Sequence, residues 1–160
     1  MNEMLELKNM MYPEDAEMNA YQETTSIFFI QLMQENTPFS FASRGDGNER
    51  EGVFRIKSGN PVTAIVDADG HVSYRWKSKS ICASLKRMNE IISKIKTLMV
   101  VEDNDKYKIK LNQKNGNFKL SLVCNVHNDP DFVPAVNLVF FIANVNMVTK
   151  LLKEHKVFKN

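Results

Sequence analysis

From Ser80 to Met99 the apolar residues Ile81, Leu85, Met88, Ile92, Ile95 and Met99 recur every three or four positions. That spacing predicts an amphipathic helix with one buried stripe. Ser80, whose hydroxyl can accept from a free N–H of the first turn, is its expected N-cap. A second helix is predicted from Pro13 to about Glu35. Proline suits a first helical position, Glu14, Asp15 and Glu17 complement the N-terminal dipole, and Pro38 forbids continuation. Within it, Ile27-Phe28-Phe29-Ile30 is apolar nearly all round, so its second half is expected to be buried on several sides.

Elsewhere the period drops to two, the signature of half-buried strands. Phe54 and Ile56 alternate with Arg55 and Lys57, and Val62 to Val66 forms a short apolar run. Val72, Tyr74 and Trp76 alternate with His71, Ser73, Arg75 and Lys77. Ala68-Asp69-Gly70 supplies the tight turn between the last two strands. After the central helix, Tyr107, Ile109 and Leu111 alternate with Lys106, Lys108 and Lys110, and Lys114-Asn115-Gly116 turns the chain. Phe118, Leu120, Leu122 and Cys124 then return, with Lys119 and Ser121 facing the other way. Val136 to Ala143, VNLVFFIA, has the length and composition of a buried strand, and a last helix is expected from about Asn146 to Lys156.

The predicted fold is therefore α+β, with an antiparallel sheet or sheets in the order α-βββ-α-βββ-α and helices packed on one face. One domain is expected over residues 1–160, with 1–12 and 37–52 as flexible segments; the second of these carries glycine and charge without a period. Residues 53–99 and 107–155 each read as three strands and a helix, and Phe54-Arg55-Ile56-Lys57 is echoed by Tyr107-Lys108-Ile109-Lys110. The order helix, three strands, helix over residues 13–99 is similar to that of the double-stranded RNA-binding domain. Lys77, Lys79, Lys86 and Arg87 near the second helix look like that module's phosphate-gripping lysines. The family's run of consecutive lysines and its His-bearing loop are absent from this sequence, which leaves a likeness of topology.

Charge changes the picture more than composition does. The net charge of +2 conceals a segregation: residues 1–36 hold seven acids against Lys8, whereas residues 55–127 hold fourteen Lys and Arg against six acids. Such asymmetry points to a polyanionic partner or to an acidic arm docked on a basic body. Alternation gathers the cations on the solvent side of the strands. The expected nucleic-acid-binding residues are Arg55, Lys57, Arg75, Lys77, Lys106, Lys108 and Lys110, with Lys86 and Arg87 at the flank of the central helix. The aromatic residues fall on the opposite, apolar side, which favours contact with a backbone over base stacking.

Other chemistry is thinner. Asp67-Ala68-Asp69-Gly70-His71 opens like a calcium loop, but Val72 and Lys79 stand where such a loop needs glycine and glutamate. His127, Asp129 and Asp131 are the one cluster with ligand-like spacing, on a segment whose Asn-Asp-Pro-Asp is ordinary turn chemistry. Cys82 and Cys124 read as two reduced and largely buried thiols. No nucleophile elbow and no Gly-rich phosphate loop is present, so the expected protein is not an enzyme and needs no metal or cofactor. No run of residues is apolar enough for a membrane span and no signal peptide leads the chain, so a cytoplasmic protein is expected. Abundant Asn, Lys and Met resemble small accessory proteins of phages and other viruses. The alternative partner is accordingly a host protein, inhibited through the acidic segment with Glu14, Asp15 and Glu17 or through the loop expected at 40–52.

Overall fold

Asn19 sets where the first helix begins. Its side chain accepts from the Gln22 N–H at 2.9 Å, and the Gln22 side chain accepts from the Asn19 N–H at 3.0 Å, a reciprocal capping box. The computed structural model describes residues 19–46, 49–57, 59–99, 107–126 and 134–158. Helix α1 (Ala20–Gln34) thus starts later than the Pro13 expected, and residues 13–18, with Glu14, Asp15 and Glu17, lie outside the described residues. The helix ends as Pro38 requires. Asn36 takes the left-handed conformation (φ 53°), and the Thr37 N–H bonds back to the Leu32 carbonyl at 2.9 Å.

The chain forms two units. Unit 1 is Met1–Tyr74 with Asn125–Asn137; unit 2 is Arg75–Cys124 with Leu138–Asn160. In unit 1, β1 (Phe39–Arg44), β2 (Glu51–Ile56) and β3 (Val62–Val66) lie antiparallel, with Phe41 opposite Phe54 and Phe54 opposite Ala64. Tyr21, Thr24, Thr25, Phe28 and Leu32 form the buried face of α1. Phe28 stacks on Phe54 at 5.1 Å, and Phe29 meets Phe39, Phe41 and Phe54 edge-on at 4.8 to 5.5 Å. Ile27 and Ile30 are 42% and 37% exposed, against the expectation that the second half of the helix is buried on several sides.

Strand β1 lies within residues 37–52, where the sequence shows no period and a loop is expected. Phe39 and Phe41 do alternate with Ser40 and Ala42, but over too few positions to stand out beside the Gly-rich turn that follows. Strand β4 (Val72–Lys77) follows β3 through the turn predicted at Ala68-Asp69-Gly70. There the Asp67 side chain accepts from the N–H groups of Asp69 and His71, both at 2.9 Å, and Gly70 sits at φ 81°. A Cβ on Gly70 would lie 2.8 Å from the Ala20 carbonyl oxygen, so only glycine lets this turn approach the start of α1.

In unit 2 the chain stays extended past β4. The Ser78 N–H donates to the Leu120 carbonyl at 2.8 Å, and Ile81 exchanges backbone bonds with Phe118 at 2.7 and 2.9 Å. Helix α2 (Leu85–Leu98) therefore begins four residues later than expected, and Ser84, not Ser80, caps it by accepting from the Arg87 N–H at 3.1 Å. Its buried stripe is Met88, Ile91 and Ile95; Leu85 is 57% exposed and Ile92 half-buried. Strands β5 (Tyr107–Lys114) and β6 (Asn117–Val126) form the predicted hairpin, with Leu111 opposite Leu120.

Helix α3 (Pro134–Glu154) replaces the strand expected at 136–143 and joins it to the last helix. An apolar run of eight fits a buried strand or a buried helix equally well. What decides it is the stripe Leu138, Phe141, Val145, Val148, Leu152, whose 3.6-residue period runs unbroken across the whole segment. The six strands form one antiparallel sheet in the order β1-β2-β3-β4-β6-β5, an α+β fold with element order α-ββββ-α-ββ-α. Four strands separate α1 from α2, so the order of the double-stranded RNA-binding domain is not reproduced. Residues 107–155 hold two strands and a helix, which removes the repeat suggested by the sequence.

Candidate nucleic-acid interface

The two units carry opposite charge. Unit 1 holds five Lys and Arg against fourteen Asp and Glu, a net charge of −9; unit 2 holds sixteen against five, a net charge of +11. Among the described residues, Arg44 and Glu51 form an ion pair at 2.7 Å and His71 Nδ1 lies 3.7 Å from an Asp67 carboxylate oxygen, both in unit 1. The described acids of unit 2 are Glu90 and Glu154, and neither forms an ion pair with a described cation.

Period-two alternation aims the strand cations of unit 2 at solvent. On β4, Trp76 is buried while Arg75 and Lys77 are exposed. On β6, Phe118, Leu120, Leu122 and Cys124 are buried and Lys119 is exposed. On the edge strand β5, Lys108, Lys110 and Lys114 are exposed, and the register sets Lys108 beside Val123, Lys110 beside Ser121 and Asn112 beside Lys119. Six cations thus share one sheet face with Asn112, Asn117, Ser121 and Val123, and no acid stands among them. Lys114 is absent from the residues expected from sequence, because Lys114-Asn115-Gly116 reads as a turn; it is the fourth member of the 108-110-112-114 alternation.

The helices of unit 2 lie on the other, apolar face. Tyr107 stacks on Phe141 of α3 at 6.1 Å, and a cleft of about 240 Å³ lined by Lys96, Met99, Tyr107 and Ile109 brings the end of α2 against the apolar side of β5. Lys86 and Arg87, at the start of α2, are therefore separated by the sheet from the strand cations with which their sequence grouped them. Arg87 serves the fold instead. Its guanidinium donates to the His155 carbonyl at 2.7 Å, closing the C-terminal end of α3. Arg55 and Lys57 are exposed at the end of β2 in unit 1. Lys106, His127, Asp129 and Asp131 lie outside the described residues.

Tyr107 shares hydrogen bonds with Asn144 and Cys124, and burial first, then Cys124, pushes its phenol well above the ordinary tyrosine range. Its phenol is neutral at physiological pH. Neither cysteine is in a disulfide; Cys124 is buried as expected, whereas Cys82, which precedes α2 instead of lying in it, is exposed. Asp67, Asp69 and His71 bring ligand-type atoms within 4.8 Å of one another, but one Asp67 oxygen already holds two backbone N–H groups, and turn formation accounts for the arrangement. No helix among the described residues is long and apolar enough to cross a membrane. No protein-family model, curated protein or solved structure matches this chain.

Proposed function

We propose that this chain acts by binding, not by catalysis, and that it holds nucleic acid by its phosphate backbone through the outer sheet face of unit 2. The observation that carries the reading is the set Arg75, Lys77, Lys108, Lys110, Lys114 and Lys119: six exposed cations on one face, with no described acid to neutralise them. Such a surface gains affinity by displacing counterions from a polyanion, a gain that needs no base contact. Asn112, Asn117 and Ser121 on the same face add neutral groups able to bond phosphate oxygens.

Fluorescence anisotropy of labelled nucleic acid at several salt concentrations tests it. If each of the six cations neutralises one phosphate, the slope of log affinity against log salt is about −5. Replacing Lys108, Lys110 and Lys119 together by Glu should weaken binding by at least ~100-fold, with the melting temperature kept. The same charge change at Lys86, Lys94 and Lys150, all exposed on helices, should cost far less. Absence of binding at low salt would overturn the reading and turn attention to a protein partner for the acidic residues of unit 1, Glu14, Asp15 and Glu17 among them.

A further inference from the structure

Resting on that reading, we infer that the ligand is a duplex, gripped by phosphates of both its strands across one groove, and not a single strand. The juxtaposition that carries this is a pair of cationic rails separated by a nearly neutral strand. Strand β6 lies between β4 and β5. Ser78 is bonded opposite Leu120, and carried along antiparallel strands this sets Lys77 beside Ser121 and Arg75 beside Val123. On its other side, Ser121 has Lys110 and Val123 has Lys108. Each of these two neutral residues is thus flanked by a cation on either side.

The rails run along strands two spacings apart, about 9.6 Å between backbones. That falls between the widths of the minor and major grooves of a B-form duplex, about 6 and 12 Å, and long Lys and Arg side chains cover the remainder by swinging in or out. Along β5, Lys108 to Lys114 spans about 20 Å, the length of about six base pairs. A single strand offers one line of phosphates and would leave one rail idle.

The rings point the same way. Single-strand binders stack bases on exposed aromatic side chains. In unit 2 Trp76, Phe118 and Phe141 are buried, and Tyr107 is turned toward Phe141 on the apolar side. The outward face holds no ring among its described residues, so a single strand would find charge there but nothing to stack on.

The test uses the full chain with a 20-base-pair DNA duplex, an RNA duplex of the same sequence, and each strand alone, all at one salt concentration. Either duplex should bind at least ~10-fold tighter than its single strands, with little change when the base sequence is scrambled. Neutralising one rail (Arg75→Gln with Lys77→Gln) or the other (Lys108→Gln with Lys110→Gln) should each cut duplex affinity by a similar factor. These exposed Gln variants are checked by thermal melting. Single strands binding as tightly as duplexes, or one rail proving dispensable, would overturn the duplex inference while leaving backbone binding intact. No binding of any of the four probes would overturn both.

Discussion

Unit 1 and unit 2 are built on different principles although one chain makes both. The core of unit 1 is a cluster of rings: Phe54 is in ring contact with Phe28, Phe29, Phe39 and Phe41 at 4.8 to 5.9 Å. That of unit 2 is mainly aliphatic, with Ile81, Met88, Ile91, Ile95, Leu120, Leu122 and Leu152 almost fully buried and Tyr107 stacked on Phe141. Unit 1 is acidic and holds the Arg44–Glu51 ion pair; unit 2 is basic, and its described cations form no ion pair among the described residues. Self-repulsion of like charge lowers the stability of a folded body. Unit 2 tolerates that cost over a sheet face where nothing in its own fold needs the charge, which is why that face, and not the ion-paired surface of unit 1, is the place to look for a partner.

The sharpest way to break the comparison is to empty one core. Phe54→Ala removes a fully buried ring at the centre of the aromatic cluster and should cost about 3–5 kcal/mol, a large fraction of a domain's whole stability. Ile81→Ala, in the aliphatic core, should cost about 2–5 kcal/mol, plus little else because its backbone bonds to Phe118 remain. Urea titrations followed by Trp76 fluorescence, a probe within unit 2, read both. Should Phe54→Ala leave the unit 2 transition untouched, the two units unfold separately; a single shared transition means they are one cooperative body.

Where the chain alternates over five or more positions, pattern alone places the strands and the faces of their side chains: β4, β5 and β6 are all where their periods put them. β1 escapes detection because its alternation is confined to Phe39 and Phe41 before a turn of Gly and charge begins. The start of α2 is misplaced for a tertiary reason. Ile81 fits a helical stripe by spacing, yet its backbone is claimed by Phe118 and, as a bridge, by Phe158. At 136–143 an apolar run carries no period of its own, and only Val145, Val148 and Leu152 beyond it show that the stripe is helical. Arg75, Lys77, Lys108 and Lys110 are legible as outward-facing. Their arrangement as two rails is not, because it depends on β6 inserting between β4 and β5, a non-consecutive order that no local signal encodes.

Two turn glycines sharpen the comparison at smaller cost. Gly70 in unit 1 and Gly116 in unit 2 both sit at φ near 80°, so alanine at either place carries the left-handed penalty of about 1–2 kcal/mol. At Gly116 that is all, since nothing lies within 4 Å of the added carbon. At Gly70 the new Cβ would also press on the Ala20 carbonyl oxygen at 2.8 Å and the Thr24 hydroxyl at 3.0 Å. Backbone must move, and the total should reach about 2–4 kcal/mol. Thermal melts of the two variants should therefore separate, Gly70→Ala lying clearly below Gly116→Ala. Equal melting temperatures would mean that the turn in unit 1 relaxes away from α1 at no cost.

The smallest effect at neutral pH becomes visible only in base, and it belongs to unit 2. Tyr107→Phe deletes hydrogen bonds to Asn144 and Cys124 and should cost about 1 kcal/mol at pH 7. The folded chain holds the phenol's pKa above its ordinary value of 10.0, so the folded state keeps a proton that the unfolded chain releases first. The stabilisation tied to that proton is whole below pH 10 and drains as pH climbs through and beyond it, because in that window the unfolded chain binds fewer protons. Strong base also discharges lysine, which relieves the self-repulsion of unit 2 and works in the opposite sense. Subtracting the variant from the wild type isolates the phenol: both chains share the lysines, and only one has Tyr107. The stability difference should shrink as pH rises through 10 and reverse sign once holding the phenol's proton is a greater burden than its hydrogen bonds are a help. A difference that stays constant through this range would mean that Tyr107 ionises as freely in the fold as in the open chain, with its ring on Phe141 but its hydroxyl reaching water.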